Sequence, residues 1–322
     1  MNNENNVLKL GILSGAGAYI LWGLLPLYWK LLDHVPSEEV LAHRIIWSLI
    51  FVSLLLLLTG KGKGFVKEWK IILKQPRLIA GVTAAAVLIT GNWYIYIWSV
   101  ANERVVEASL GYYINPLVSV LLGVIFLKER LLKIQWISVI MAGIAVTILT
   151  ASSGAFPYVA LGLAFSFGLY GLTKKIVQVG ALNGVALETL IMIPLAAGFL
   201  LFQHGLSPDM FYAGDTATFL LLAGAGAATA VPLLLFGAGA KRIPLSLMGF
   251  LQYVAPTMML LLGIFLYGET FTAVHLAAYS IIWIALIMFT ASRWISYRKT
   301  KYGKKPVITG EEKTAVTAAK TH

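Results

Sequence analysis

Arg44, Glu107 and Glu188 are ionisable side chains inside otherwise apolar runs. A charge at the centre of a membrane helix costs about 2.5–3.5 kcal/mol on insertion scales, so it persists only beside a partner or a wet cavity. Arg44 follows His43, precedes Trp47 and Ser48, and lies about 9 Å inside its run at about 1.5 Å per residue. It can form a structural ion pair, for which Glu107 is the natural partner, or it can bind an anion or lock a gate. Glu107 and Glu188 can each carry a coupling proton or act as a fixed ion-pair partner. Asn92, Trp93, Tyr96 and Trp98 fall in one run, and Tyr112, Tyr113 and Asn115 in the next. Aromatics near a surface form interfacial belts. Asn92 and Asn115 lie deeper, where an unpaired amide is costly, so this set reads as a cavity lining. In the second half of the chain Glu188, Ser246, Gln252 and Tyr253 gather toward the opposite face. Two polar vestibules, one at each face, are therefore expected, with Pro116 and Pro256 as flexion points.

Catalytic and metal chemistry find little support. The five histidines lack metal-ligand spacing, and the chain has no cysteine. The stretch LTGKGKGF lacks the GK[ST] order of a nucleotide-binding loop. No cofactor and no enzyme activity are expected. Without an ATP site, uphill movement of a solute would draw on a coupling proton or a counter-substrate.

The elements that must position these residues follow from composition. Of 322 residues, 59% are hydrophobic and 12% charged, against about 25% charged in a soluble domain. Ten runs are long enough to span a bilayer, at about 10–31, 38–59, 78–100, 105–127, 133–152, 157–178, 183–203, 217–240, 244–267 and 271–293. The net charge of +11 does not point to nucleic acid, because the basic residues lie between apolar runs. They alternate by loop. Lys61, Lys67, Lys128, Lys174 and Lys241 mark one face, while Asp33, Glu38, Glu103, Asp209 and Glu269 mark the other, with Arg104 the exception. Lysine and arginine are retained inside, so both termini are expected in the cytoplasm. The basic tail, 294–322, is expected to be disordered and drawn to anionic lipid.

One stretch recurs 140 residues on. NPLVSVLLGVIFLKER from Asn115 aligns with APTMMLLLGIFLYGET from Ala255, so that Pro116 matches Pro256, Gly123 matches Gly263 and Glu129 matches Glu269. An odd number of crossings separates the copies, which makes the repeat inverted. The expected fold is an all-α integral membrane protein of ten helices in two inverted five-helix repeats, 10–152 and 157–293. Such repeats build two interchangeable access states around one central site.

The runs AYILWGLLPLYWKLLDHVPSEEVLAHRIIWS, GNWYIYIWSVAN, EASLGYYINPLVSVLLGVIFLKER, ALGLAFSFGLYGLTKK and LSLMGFLQYVAPTMMLLLGIFLYGE resemble the RarD proteins. These belong to the EamA family of the drug/metabolite transporter (DMT) superfamily. The resemblance covers about residues 10–293. It implies the ten-helix inverted bundle in the bacterial cytoplasmic membrane and movement of a drug or metabolite. It places the family's His-Arg on His43 and Arg44, its Glu-Ala-Ser-Leu-Gly-Tyr motif on Glu107 to Tyr112, and its Asn-Pro on Asn115 and Pro116. The second-half motif falls on Gln252, Tyr253 and Pro256. The leading reading is a secondary transporter, exporter or exchanger of a small-molecule solute. The alternative is a non-transporting membrane sensor or assembly factor on the same fold. Association as a homodimer stays open at this level.

Overall fold

The computed structural model describes residues 2–101, 105–153, 157–177, 179–205, 216–267 and 273–302. Twelve α-helices account for nearly all of this: α1 (Asn2–Trp29), α2 (Ser37–Leu58), α3 (Gly62–Ile72), α4 (Pro76–Ala101), α5 (Val105–Leu127), α6 (Lys133–Ser153), α7 (Tyr158–Ile176), α8 (Ala181–His204), α9 (Thr216–Arg242), α10 (Leu245–Leu251), α11 (Val254–Tyr267) and α12 (Ala273–Tyr302). Nine helical segments among the described residues are long and apolar enough to cross a membrane. Large apolar side chains cover the outside, Phe202 and Phe265 among the most exposed. Contiguous apolar surface of that extent belongs in lipid, and the protein is an integral membrane protein.

Helix α7 occupies the sixth expected run but is less apolar than the nine. Lys174 and Lys175 lie at its end, and Gly162, Ser166, Gly168, Tyr170 and Gly171 dilute its middle. It packs against α4, α5 and α9 instead of depending on lipid.

The ninth expected run, 244–267, is two helices. Pro256 has no amide hydrogen, so the Gln252 carbonyl loses its helical partner. The chain tightens there, with the Tyr253 amide bonding the Phe250 carbonyl at 3.2 Å and the Ala255 amide the Gln252 carbonyl at 3.3 Å. Pro116, by contrast, sits inside the unbroken α5. Two boundaries also differ from expectation. The basic segment 60–77 holds the amphipathic α3, whose Phe65 and Trp69 pack on Ile72, Val82, Val179 and Leu187. The last helix continues to Tyr302, past the expected tail start at 294.

Helix directions follow from specific contacts. Tyr28 donates to the Leu221 carbonyl and Gly11 abuts Arg242 and Ile243, so α1 and α9 are antiparallel. Gly249 lies against the Pro116 carbonyl and Gly123 against Ser246, so α10 and α11 run antiparallel to α5. Helix α1 packs on α9 and α11, and α7 on α4 and α5. Helix α2 packs on α8 and α9, α8 on α2 and α4, and α6 on α12. Small residues permit these approaches. At Gly226 a Cβ would collide with the backbone of Trp47.

Candidate functional site

A cavity of about 480 Å³ opens among α1, α2, α4, α5 and the α10–α11 break. Lys30, Asp33 and Ser37 line its mouth, so it is reached from the face that carries the α1–α2 connection. Tyr19, Trp22, Phe167 and Gln252 line its depth. Tyr19 precedes Trp29 by ten helical positions, which puts the floor about 15 Å further in. Below it the rings close up: Tyr19 and Trp22 stand 5.5 Å apart, Trp22 and Phe167 5.5 Å, Phe167 and Phe236 5.3 Å, and Tyr170 stacks on Phe236 at 5.5 Å. Offset and edge-on contacts of this kind pack tightly and exclude water.

Arg44 lines the wall. Its guanidinium lies between two indoles, 4.6 Å from the Trp29 ring and 4.6 Å from the Trp93 ring. Its Nε donates to Thr229 Oγ1 at 2.9 Å. Arg44 on α2 thus gathers Trp29 of α1, Trp93 of α4 and Thr229 of α9. Cation–π contact with two indoles suits the weakly hydrated guanidinium. Among the described residues no carboxylate lies within ion-pair distance of it. Glu107 is on α5, with its side chain outside the described part, so the expected Arg44–Glu107 pair lies outside it as well.

The expected lining residues Asn92, Trp93, Tyr96, Tyr112 and Asn115 come together in this cavity with Arg44, as does Pro256; Gln252, expected toward the opposite face, lines this cavity instead. Asn92 Nδ2 donates to the Leu163 carbonyl and to Ser166 Oγ, each at 2.9 Å, which fixes the amide across to α7. Asn115 is 3% exposed, and its Oδ1 accepts no hydrogen bond. Ser119 Oγ donates weakly to Gln252 Oε1 at 3.4 Å.

Other expected residues lie elsewhere. His43 is buried on α2 outside the cavity lining. Tyr113, Pro116 and Tyr253 are buried in the α5–α10 crossing behind it. Tyr113 Oη meets Tyr279 Oη and the Pro256 carbonyl there, and Tyr253 Oη donates to the Tyr113 carbonyl at 3.3 Å. Trp29, Thr229, Tyr19 and Phe167 were missed, because only packing between helices brings them to Arg44 and the floor.

Glu188 sits toward the lysine-rich face. Lys174 Nζ donates to it at 2.6 Å and Tyr170 Oη at 3.2 Å, with both charged residues 5% exposed. The second vestibule expected on this side is here a void of about 10 Å³ beside the pair. Further ties close the same face. Lys128 adopts a left-handed backbone, φ 54, which turns Glu129 back so that its carboxylate accepts the Leu245 and Ser246 amides at 2.6 and 3.0 Å. A carboxylate at a helix N-terminus satisfies orphan amides and meets the positive end of the dipole. Lys175 Nζ answers at the C-terminus of α9, donating to the Ala240 and Ile243 carbonyls at 3.0 and 2.6 Å. Asn183 of α8 bonds Glu68 of α3.

Comparison with known proteins fits this architecture. Residues 9–151 match the EamA-like transporter family. The uncharacterized transporter YojE of Bacillus subtilis is 48% identical over 88% of this chain and 95% of its own length. Protein RarD of Escherichia coli is 41% identical over 91% and 97%. A Pseudomonas aeruginosa relative named chloramphenicol-sensitive protein RarD is 32% identical over 86% and 92%. A crystal structure at 20% identity superposes with a TM-score of 0.68 over 87% of this chain and 97% of its own, a likeness of fold. With its apolar helices arranged around a one-sided cavity, the chain belongs to the EamA-like transporter family, among its RarD-type members.

Proposed function

We propose that this protein is a secondary transporter that carries a small solute by alternating access, as an exporter or exchanger, and that it is not an enzyme. The observation that carries the reading is the cavity itself. It is about 480 Å³ in volume, lined mainly by apolar side chains, seven of them aromatic, with seven polar or charged residues among them, and it is reached from the face of the α1–α2 connection. Sites of 300–1,000 Å³ with that lining suit small organic molecules. The floor rings and the Glu129, Lys175 and Lys174–Glu188 ties hold the other face shut. By the retention of lysine on the inside, the shut face is cytoplasmic, as are both termini, and the cavity faces outward across the bacterial cytoplasmic membrane.

Two five-helix halves, 10–152 and 157–293, exchange roles in this reading, with α7 as the tenth span. The helix pairings support it. Exchanging α1 with α7, α2 with α8, α4 with α9 and α5 with α10–α11 turns the α1–α9 contact into α7–α4, α2–α9 into α8–α4, and α1–α11 into α7–α5, all of which occur. The antiparallel course of α5 and α10–α11 is what inverted copies require. The state change would move the break: α10–α11 straightens while α5 bends at Pro116.

Purified protein in liposomes should move a solute down its gradient, and Arg44→Ala should impair that flux while insertion stays intact. Cross-linking the cavity mouth shut should abolish flux. A protein that moves no solute in such vesicles, or flux unaffected by the cross-link, would sink the proposal.

A further inference from the structure

The cavity specifies the charge of what it takes. The Arg44 guanidinium carbon lies over both the Trp29 and the Trp93 ring, 4.6 Å from each centroid, and its Nε is committed to Thr229. What it can still offer is the Nη end, where four N–H groups lie in one plane. That fork matches the two oxygens of a carboxylate. The two indoles and Thr229 together hold the side chain in place, so the cation is pre-organised. A cation held in apolar walls is costly until an anion joins it. Lys30 at the mouth adds a second positive charge, against Asp33.

A second, independent observation lies deeper. Asn115 lines the same cavity, is 3% exposed, and leaves Oδ1 without a donor. A buried amide oxygen in that condition is matched by a solute N–H or O–H. Trp22, Pro26, Phe167 and Pro256 supply flat apolar walls between these polar points.

Resting on the transporter reading, we propose that the solute is an amphipathic organic monoanion, a small aromatic monocarboxylate whose carboxylate meets the Arg44 Nη edge and whose ring substituent donates to Asn115. Cationic amines are excluded from the site by the same arginine.

The test is a series of equal shape and different charge: 4-hydroxyphenylacetate, 4-hydroxyphenylacetamide and tyramine. Each is titrated calorimetrically against the detergent-purified full chain. The anion should bind at least about tenfold tighter than the amide, and tyramine should bind weakest. In Arg44→Gln the preference should collapse toward parity. Should that variant fail to fold, the wild-type series alone decides. Equal binding of the three, preference for tyramine, or no binding of the anion in the millimolar range overturns the assignment. Flux of another solute with no anion binding would overturn this inference and leave transport standing. Anion binding without flux in vesicles would do the reverse.

Discussion

Tyr253 donates its hydroxyl to the carbonyl of Tyr113 at 3.3 Å, and these tyrosines stand 140 residues apart, the same offset that aligns the stretches beginning at Asn115 and Ala255. Tyr113 reaches back, its hydroxyl 3.4 Å from the Pro256 carbonyl. Each hydroxyl thus bonds the backbone of the other segment near its proline, where helical bonding is weakest. The crossing lies directly behind the cavity wall formed by Asn115, Gln252 and Pro256.

Both bonds are long, so each contributes about 0.5–1 kcal/mol. Tyr253→Phe should lower the melting temperature in detergent by about 2 °C. Tyr113→Phe should cost more, because its hydrogen bond with the Tyr279 hydroxyl is lost as well. Unchanged melting in both variants would show that the crossing does not depend on these hydroxyls.

At Gly226 no side chain fits. The atoms a Cβ would meet belong to the backbone and Cβ of Trp47, which cannot rotate away. Gly226→Ala should destabilise by about 1–3 kcal/mol or more, read as a loss of monodisperse protein on size exclusion. Gly91, with open space around its Cβ position, is the control, and Gly91→Ala should be tolerated.

The Lys174–Glu188 pair is buried, so removing one partner strands the other. Lys174→Met or Glu188→Gln alone should cost about 3–5 kcal/mol, and Lys174→Met with Glu188→Leu together should recover most of it. The chain contains no cysteine, so a single Ala240→Cys gives a clean reporter on the lysine-rich end of α9, where Ala240 is fully buried. Its labelling by a maleimide from that face should accelerate in the Glu188→Gln background. Equal labelling rates would mean that the pair does not hold this face shut.

Glu129→Ala removes the anion that accepts the first two α10 amides. The expected loss is about 0.5–2 kcal/mol. Glu129→Gln should recover part of it, because one acceptor oxygen remains. Thermal melting of the three proteins checks the order.

Helix positions were largely legible because each apolar run is punctuated by lysines, prolines or glycines. The exceptions have distinct causes. Helix α3 hid in a basic segment, although Phe65, Trp69 and Ile72 recur at helical spacing; its lysines masked the pattern. Pro116 and Pro256 carry the same local signal, yet one lies in an intact helix and the other beside a break. Local sequence cannot distinguish them, because the choice is made by how the whole bundle is set. Of the cavity lining, Arg44 and Trp93 are legible in the sequence from their depth and type. Trp29 and Thr229 come from helices remote in sequence, and nothing near them marks the meeting.

The Arg44 contacts have a mechanical side. Three helices, α1, α4 and α9, each place one group against the guanidinium that α2 carries. Any molecule that draws its free end by a fraction of an ångström pulls on two indoles and a threonine at once. A load on that one charge is therefore shared by four helices, α2 through the arginine itself and α1, α4 and α9 through its contacts.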